Sequence, residues 1–120
     1  MTAFPRIMGA ATLAYSVAVV VKPKVLAGPC QLVDEHGEVP PHVATAVRAV
    51  STRDAIISAL MLVLPAGPAL RGVTTARGLC DISDAAMFGL PAKDPAARKK
   101  IVAVGTGWGA LVLLSRRWAG

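Results

Sequence analysis

Long uncharged apolar runs alternate along this chain with short segments rich in proline, glycine and charge. The first run, residues 7–21, is bracketed by Arg6 and by Lys22 and Lys24. It is shorter than the roughly 18 to 20 residues usual for a spanning helix, but Arg6 and Lys22 can snorkel and lengthen its effective apolar span. A secretory signal has its cations in front, whereas here they mostly follow, so the run is expected to remain as a helix. Residues 25–42, VLAGPCQLVDEHGEVPPH, hold Gly28-Pro29, Gly37 and Pro40-Pro41 and predict a surface loop. The next stretch, HVATAVRAVSTRDAIISALMLVLP, predicts a helix that stops at Pro65, Gly67 and Pro68. Residues 69–90 predict a third, broken by Pro91-Ala-Lys-Asp-Pro95, and residues 101–115 a fourth, ending in Arg116 and Arg117. The pattern predicts an all-α, four-helix transmembrane up-and-down bundle, one integral membrane domain over 1–120 with helices at about 6–22, 42–64, 69–90 and 99–116.

Composition supports that reading. Apolar residues make up 54% of the 120 residues, charged residues only 17%, and mean hydropathy is +0.57, which excludes disorder and suits a small soluble domain poorly. The expected location is the cell membrane, multi-pass, with lipid as the first partner. A net charge of +6 raises the question of nucleic acid. The cations, however, cluster at the edges of apolar runs, where they meet phosphates and water. Aromatics are 4% of the chain, leaving almost nothing to stack on bases, so no nucleic-acid partner is expected. Cys30 and Cys80 form no CxxC pair and carry no metal or redox signature.

The start of the second helix has two readings. Ser51-Thr52-Arg53-Asp54 has the form of a capping box, which would start the membrane piece near residue 51. Alternatively the helix is continuous, and Arg48, Ser51, Asp54 and Ser58 share one face.

The third helix carries the most informative pattern. At 100° per residue, Thr74, Arg77, Asp81 and Asp84 fall within an arc of about 80°. This is the spacing by which a helix meets its neighbours, occupied by polar and ionised groups. Ionisable groups in a bilayer normally face the bundle interior, pair with each other and mark a pathway or site. Arg77 and Asp81 can pair at i, i+4. Asp84 has no local partner, and Arg48 or Arg53 of the second helix are candidates to neutralise it. An Arg that holds one acid ionised beside a second, protonated acid is the equipment of general acid and base chemistry. The structural alternative is a packing device that fixes helix register. The candidate catalytic residues are thus Asp81, Asp84 and Arg77, with Arg48, Arg53, Asp54 and Thr74 as candidate substrate-binding residues.

In the fourth helix, Gly105 and Gly109 form a G-x-x-x-G spacing that lets another helix approach closely, either inside the bundle or from a homo-oligomer or membrane protein partner. Gly9, Ala10, Ala14 and Ala18 give the first helix a similar small-residue face. Trp118, beyond Arg117, suits an interfacial anchor. His36 and His42 lack ligand spacing, so no metal is expected, and no glycine-rich phosphate loop suggests a cofactor.

Three pieces carry a resemblance: the apolar first helix followed by Lys22-Pro23, the Ser51-Thr52-Arg53-Asp54 element, and ARGLCDISDA at residues 76–85. With them the chain resembles an uncharacterised family of small four-helix integral membrane proteins, a domain of unknown function, from high-GC bacteria. The resemblance implies four spans and nothing about catalysis. Two function classes follow. One is a cofactor-independent acid/base enzyme of isomerase, cyclase or epoxide-opening type acting on a lipophilic small molecule, with Asp84 as proton donor, Asp81 as base and Arg77 as orienter. The other is a non-catalytic membrane subunit or assembly factor docking on a larger complex.

Overall fold

The computed structural model describes residues 2–120 and is all-helical, with no strand among the described residues. The elements are α1 (Ala3–Val21), a single turn α2 (Lys24–Ala27), α3 (Pro41–Val63), α4 (Pro68–Gly89), α5 (Pro95–Ser115) and a closing 3-10 turn, Arg116–Trp118. α3 is continuous, so Ser51 to Asp54 lie mid-helix and do not cap. Three long helices begin on a proline, Pro41, Pro68 and Pro95, because the first helical position has no amide to lose. That is why α5 starts at Pro95 and not near residue 99, with the Asp94 side chain accepting from the Ala96 amide at 3.2 Å. The loop after α2 is shaped by Asp34, whose Oδ1 accepts from the amides of His36 and Glu38 at 2.9 Å each.

Packing divides the chain into two tight pairs, α1 with α3 and α4 with α5, joined mainly along α3 and α4. Glycine sets the spacing within each pair. A Cβ on Gly9 would lie 2.8 Å from the Met61 Cβ. On Gly109 it would meet the Gly78 carbonyl at 2.9 Å, and on Gly105 the Ala85 Cβ at 2.5 Å. Both glycines of the G-x-x-x-G spacing therefore face α4 within the same chain, whereas Gly107 looks into open space. On α1 only Gly9 of the small-residue face is buried; Ala10, Ala14 and Ala18 are exposed. Two arginines clasp the first pair. Arg6 Nη1 donates to the Met61 carbonyl at 2.8 Å, and Arg48 Nε donates to the Val20 carbonyl at 3.0 Å. Each acceptor lies in the last turn of its helix, where carbonyls lack intrahelical donors and the helix dipole favours a cation.

The two ends of the bundle differ. At the end holding the termini, Met8, Met61, Leu70, Val112 and Ala119 form the apolar core, with Phe4, Leu64, Val73 and Trp108 against it. Towards the α1–α3 and α4–α5 loops the interior turns polar, and buried positions there and along the seam include Thr12, Ser16, Ser51, Ser58, Thr74 and Arg77. The outer surface is the reverse: Ile7, Ile56, Leu79, Met87 and Val104 are each more than half exposed. By length and composition α1 alone among the described helices is apolar enough to cross a membrane unaided. α3 carries Arg48, Arg53 and Asp54, α4 carries Arg71, Arg77, Asp81 and Asp84, and the charges of α5 occupy its first turns.

The glycine contacts predict a matched pair of results. Gly109→Ala should destabilise the fold by about 1–3 kcal/mol through overpacking. Gly107→Ala should be neutral or stabilising by up to about 1 kcal/mol, because alanine is the better helix former. Chemical denaturation of the two variants in one detergent separates them, and equal effects would contradict the assigned interface.

Candidate functional site

Spacing on two helices assembles the site. In α3 the sequence places Ser51, Asp54 and Ser58 on the inner face, and both serines are buried. In α4, Arg77, Asp81 and Asp84 line the face opposite. Arg77 is the largest fully buried side chain among the described residues, at 0% exposure, and its partners explain how it can be there. Arg77 Nη2 donates to Asp81 Oδ1 at 2.5 Å, and Nη1 makes an ion pair with Asp54 Oδ1 at 2.8 Å. Arg53 Nη2 reaches the same Asp54 oxygen at 2.7 Å and Asp84 Oδ2 at 2.8 Å. The result is one chain of charge, Asp81, Arg77, Asp54, Arg53, Asp84, in which carboxylates and guanidinium groups alternate. Three acids stand against two bases. Ser58 Oγ, Asp81 Oδ2 and Arg77 Nε and Nη1 are buried without a hydrogen-bond partner, Nη1 meeting Asp54 as an ion pair only.

The carboxylates open onto a cavity of about 390 Å³ between the two helix pairs. Asp54, Asp81 and Asp84 form one wall, Thr12, Tyr15 and Ser16 of α1 another, and Phe88, Ile101, Val104 and Trp108 give most of the remainder its apolar character. Cys30 closes it from the loop side and Lys100 stands on the α5 wall. Trp108 Nε1 donates to Thr12 Oγ1 at 3.1 Å, tying α5 to α1 at the inner limit of the cavity. Asp54 lies about 20 Å along α3 from Pro41, at 1.5 Å per residue, so the charged wall stands near mid-helix, with Arg77 buried at its centre and Arg53 exposed at its edge.

Of the residues expected at the site, Arg53, Asp54, Arg77, Asp81 and Asp84 come together in one network, and Asp84 finds Arg53 as its partner. Arg48 does not: it is exposed and held on the Val20 carbonyl. Thr74 does not either. It is fully buried, its hydroxyl donates to the Leu70 carbonyl at 2.8 Å, and it is not part of the cavity wall. Thr12, Tyr15, Ser16, Cys30, Phe88 and Lys100 were outside the expected set. The signal for Thr12 and Ser16 was present, as hydroxyls one turn apart in an otherwise apolar helix.

Burial pushes the Cys30 thiol up, which disfavours the reactive thiolate and leaves Cys30 as wall rather than nucleophile. Among the described residues no group of three or more His, Cys, Asp or Glu side chains is placed to hold a metal ion. His36 is exposed beside Glu35 at 3.5 Å, and His42 is exposed at the start of α3.

The network predicts non-additive mutational effects. Arg77→Leu strands Asp81 and should cost about 3–5 kcal/mol, the usual consequence of breaking a buried pair from one side. Adding Asp81→Leu should restore much of that loss, because Asp54 keeps Arg53. Denaturation of both single variants and the double closes the cycle, and a double variant as unstable as the sum of the singles would contradict the pairing.

No family model, curated protein or solved structure matches the chain.

Proposed function

We propose that the protein is a multi-pass membrane protein whose four long helices lie across the bilayer, and that its cavity takes a lipophilic small molecule and works on it by proton transfer. The observation that carries the reading is Asp81, its Oδ1 held by Arg77, on the wall of a mostly apolar cavity. Support for the membrane setting comes from the inverted distribution of polarity, with an arginine in the interior and large aliphatic side chains outside. Helices of 19 to 23 residues rise about 28 to 34 Å, matching a hydrocarbon core of about 30 Å. The charges of α3 and α4 that depress their hydropathy are largely spent on each other inside the bundle.

In the reaction, Asp81 acts as base while Arg77 holds its Oδ1 and so orients the carboxylate. Asp84, held through Oδ2 by Arg53, supplies a proton from the same wall. Asp81 and Asp84 stand one turn apart on α4, so a proton can be removed at one atom of a bound molecule and delivered at another. Three carboxylates facing two guanidinium groups balance with one bound proton, as a donor and acceptor pair needs. Isomerisation, cyclisation and epoxide opening all fit such a pair without a cofactor. The alternative, a non-catalytic subunit docking on a larger complex, would use a face other than that of Gly105 and Gly109, which pack against α4.

The test is native mass spectrometry of protein extracted gently from alkaline-carbonate-washed membranes of its host. The expected result is retention in the washed membrane and a bound lipophilic mass that is lost in Asp81→Asn while helical circular dichroism is kept. Release by carbonate would contradict the membrane reading. A protein that stays in the membrane but retains no small molecule would contradict the cavity's role.

A further inference from the structure

The end of the bundle that holds the termini has a charge pattern the cavity does not use. Its ionisable side chains are Arg6, Arg71, Arg116 and Arg117, with no acid among them, whereas the opposite end mixes Lys22, Lys24, Lys93, Arg98, Lys99 and Lys100 with Asp34, Glu35, Glu38 and Asp94. Arg6 is occupied on the Met61 carbonyl. The other three converge on an open groove of about 640 Å³ between α4 and the end of α5, floored by Ala110, Leu113 and Leu114. Arg71 is steadied there by a hydrogen bond to the Gly120 carbonyl oxygen. None of the three makes an ion pair among the described residues.

We propose that this groove binds the phosphate headgroup of an anionic phospholipid, with Arg116 and Arg117 on the phosphate, Arg71 beside them, and an acyl chain along Leu113 and Leu114. Guanidinium groups suit phosphate because their planar donors meet its oxygens two at a time. The apolar floor is what distinguishes a lipid from a free anion. Leu114 on that floor is exposed. With Arg116 and Arg117 exposed and in no ion pair, the groove is complementary to a negative headgroup and not to a zwitterionic one. The proposal rests on the reading that the bundle lies across a bilayer, which would set this end at headgroup level.

Protein delipidated in a neutral detergent and titrated with phosphatidylglycerol or phosphatidylcholine in native mass spectrometry tests it. Phosphatidylglycerol should bind in preference. Arg116→Gln with Arg117→Gln should weaken it about 25-fold, from about fivefold per basic group near an anionic surface. Lys93→Gln with Lys99→Gln, at the opposite end, should leave it unchanged. Equal binding of the two lipids, or equal loss in the two double variants, would overturn the proposal, as would displacement by inorganic phosphate at the same concentration as the lipid. Carbonate extraction of the wild-type protein is scored separately. Release there would overturn the bilayer reading, while a preference lost only in the arginine variant would still locate the lipid in the groove.

Discussion

Everything in the polar half of this protein depends on Arg77 being buried and balanced by two carboxylates. A guanidinium cannot shed its charge by deprotonation, so a fully buried arginine demands carboxylates. Asp81 comes from its own helix one turn on, and Asp54 from the helix opposite. That second contact is what locks α3 against α4, the main seam between the two helix pairs. Arg53 then becomes necessary, because Asp54 and Asp84 together exceed what Arg77 can balance, and it bridges both. The order of the elements around the cavity follows from this chain of obligations.

The division of labour along the bundle axis has a packing origin. Glycines at 9, 78 and 109 bring backbones together within each pair, and the aliphatic plug of Met8, Met61, Leu70 and Val112 closes the end near the termini. Beyond Trp108 the cavity lies between the pairs. A molecule entering it would meet apolar surface over most of its area, carboxylates on one wall and the hydroxyls of Thr12, Tyr15 and Ser16 on another.

The helical arc of Thr74, Arg77, Asp81 and Asp84 was legible because spacing within one helix fixes direction. The Arg77 to Asp81 pair was legible for the same reason, and Arg53 stood among the partners named for Asp84. What spacing could not give was distance between helices. Nothing in the sequence says that Asp54 rather than Arg48 faces Arg77, since both lie on one predicted face; Arg48, a turn and a half nearer the helix start, reaches the end of α1 instead. Thr74 shares the arc but satisfies its hydroxyl on its own backbone, an option open to any mid-helix threonine. The helix starts at Pro68 and Pro95 were obscured because proline reads as a breaker, although at the first helical position it is an initiator. Gly105 and Gly109 were legible as a close-approach face, and only the fold determines that α4 is what approaches.

The central claim is that polarity is inverted, with charge inside and lipid outside. The direct measurement is site-directed spin labelling of Ile56→Cys, Leu79→Cys and Leu111→Cys in reconstituted vesicles, with Cys30 and Cys80 replaced by serine. These positions lie on three different helices, are all exposed and line no cavity wall. The account predicts that oxygen, which concentrates in the bilayer, relaxes all three labels, while a water-soluble nickel chelate does not. Ready relaxation of the labels by the nickel chelate would place that surface in water and contradict the account.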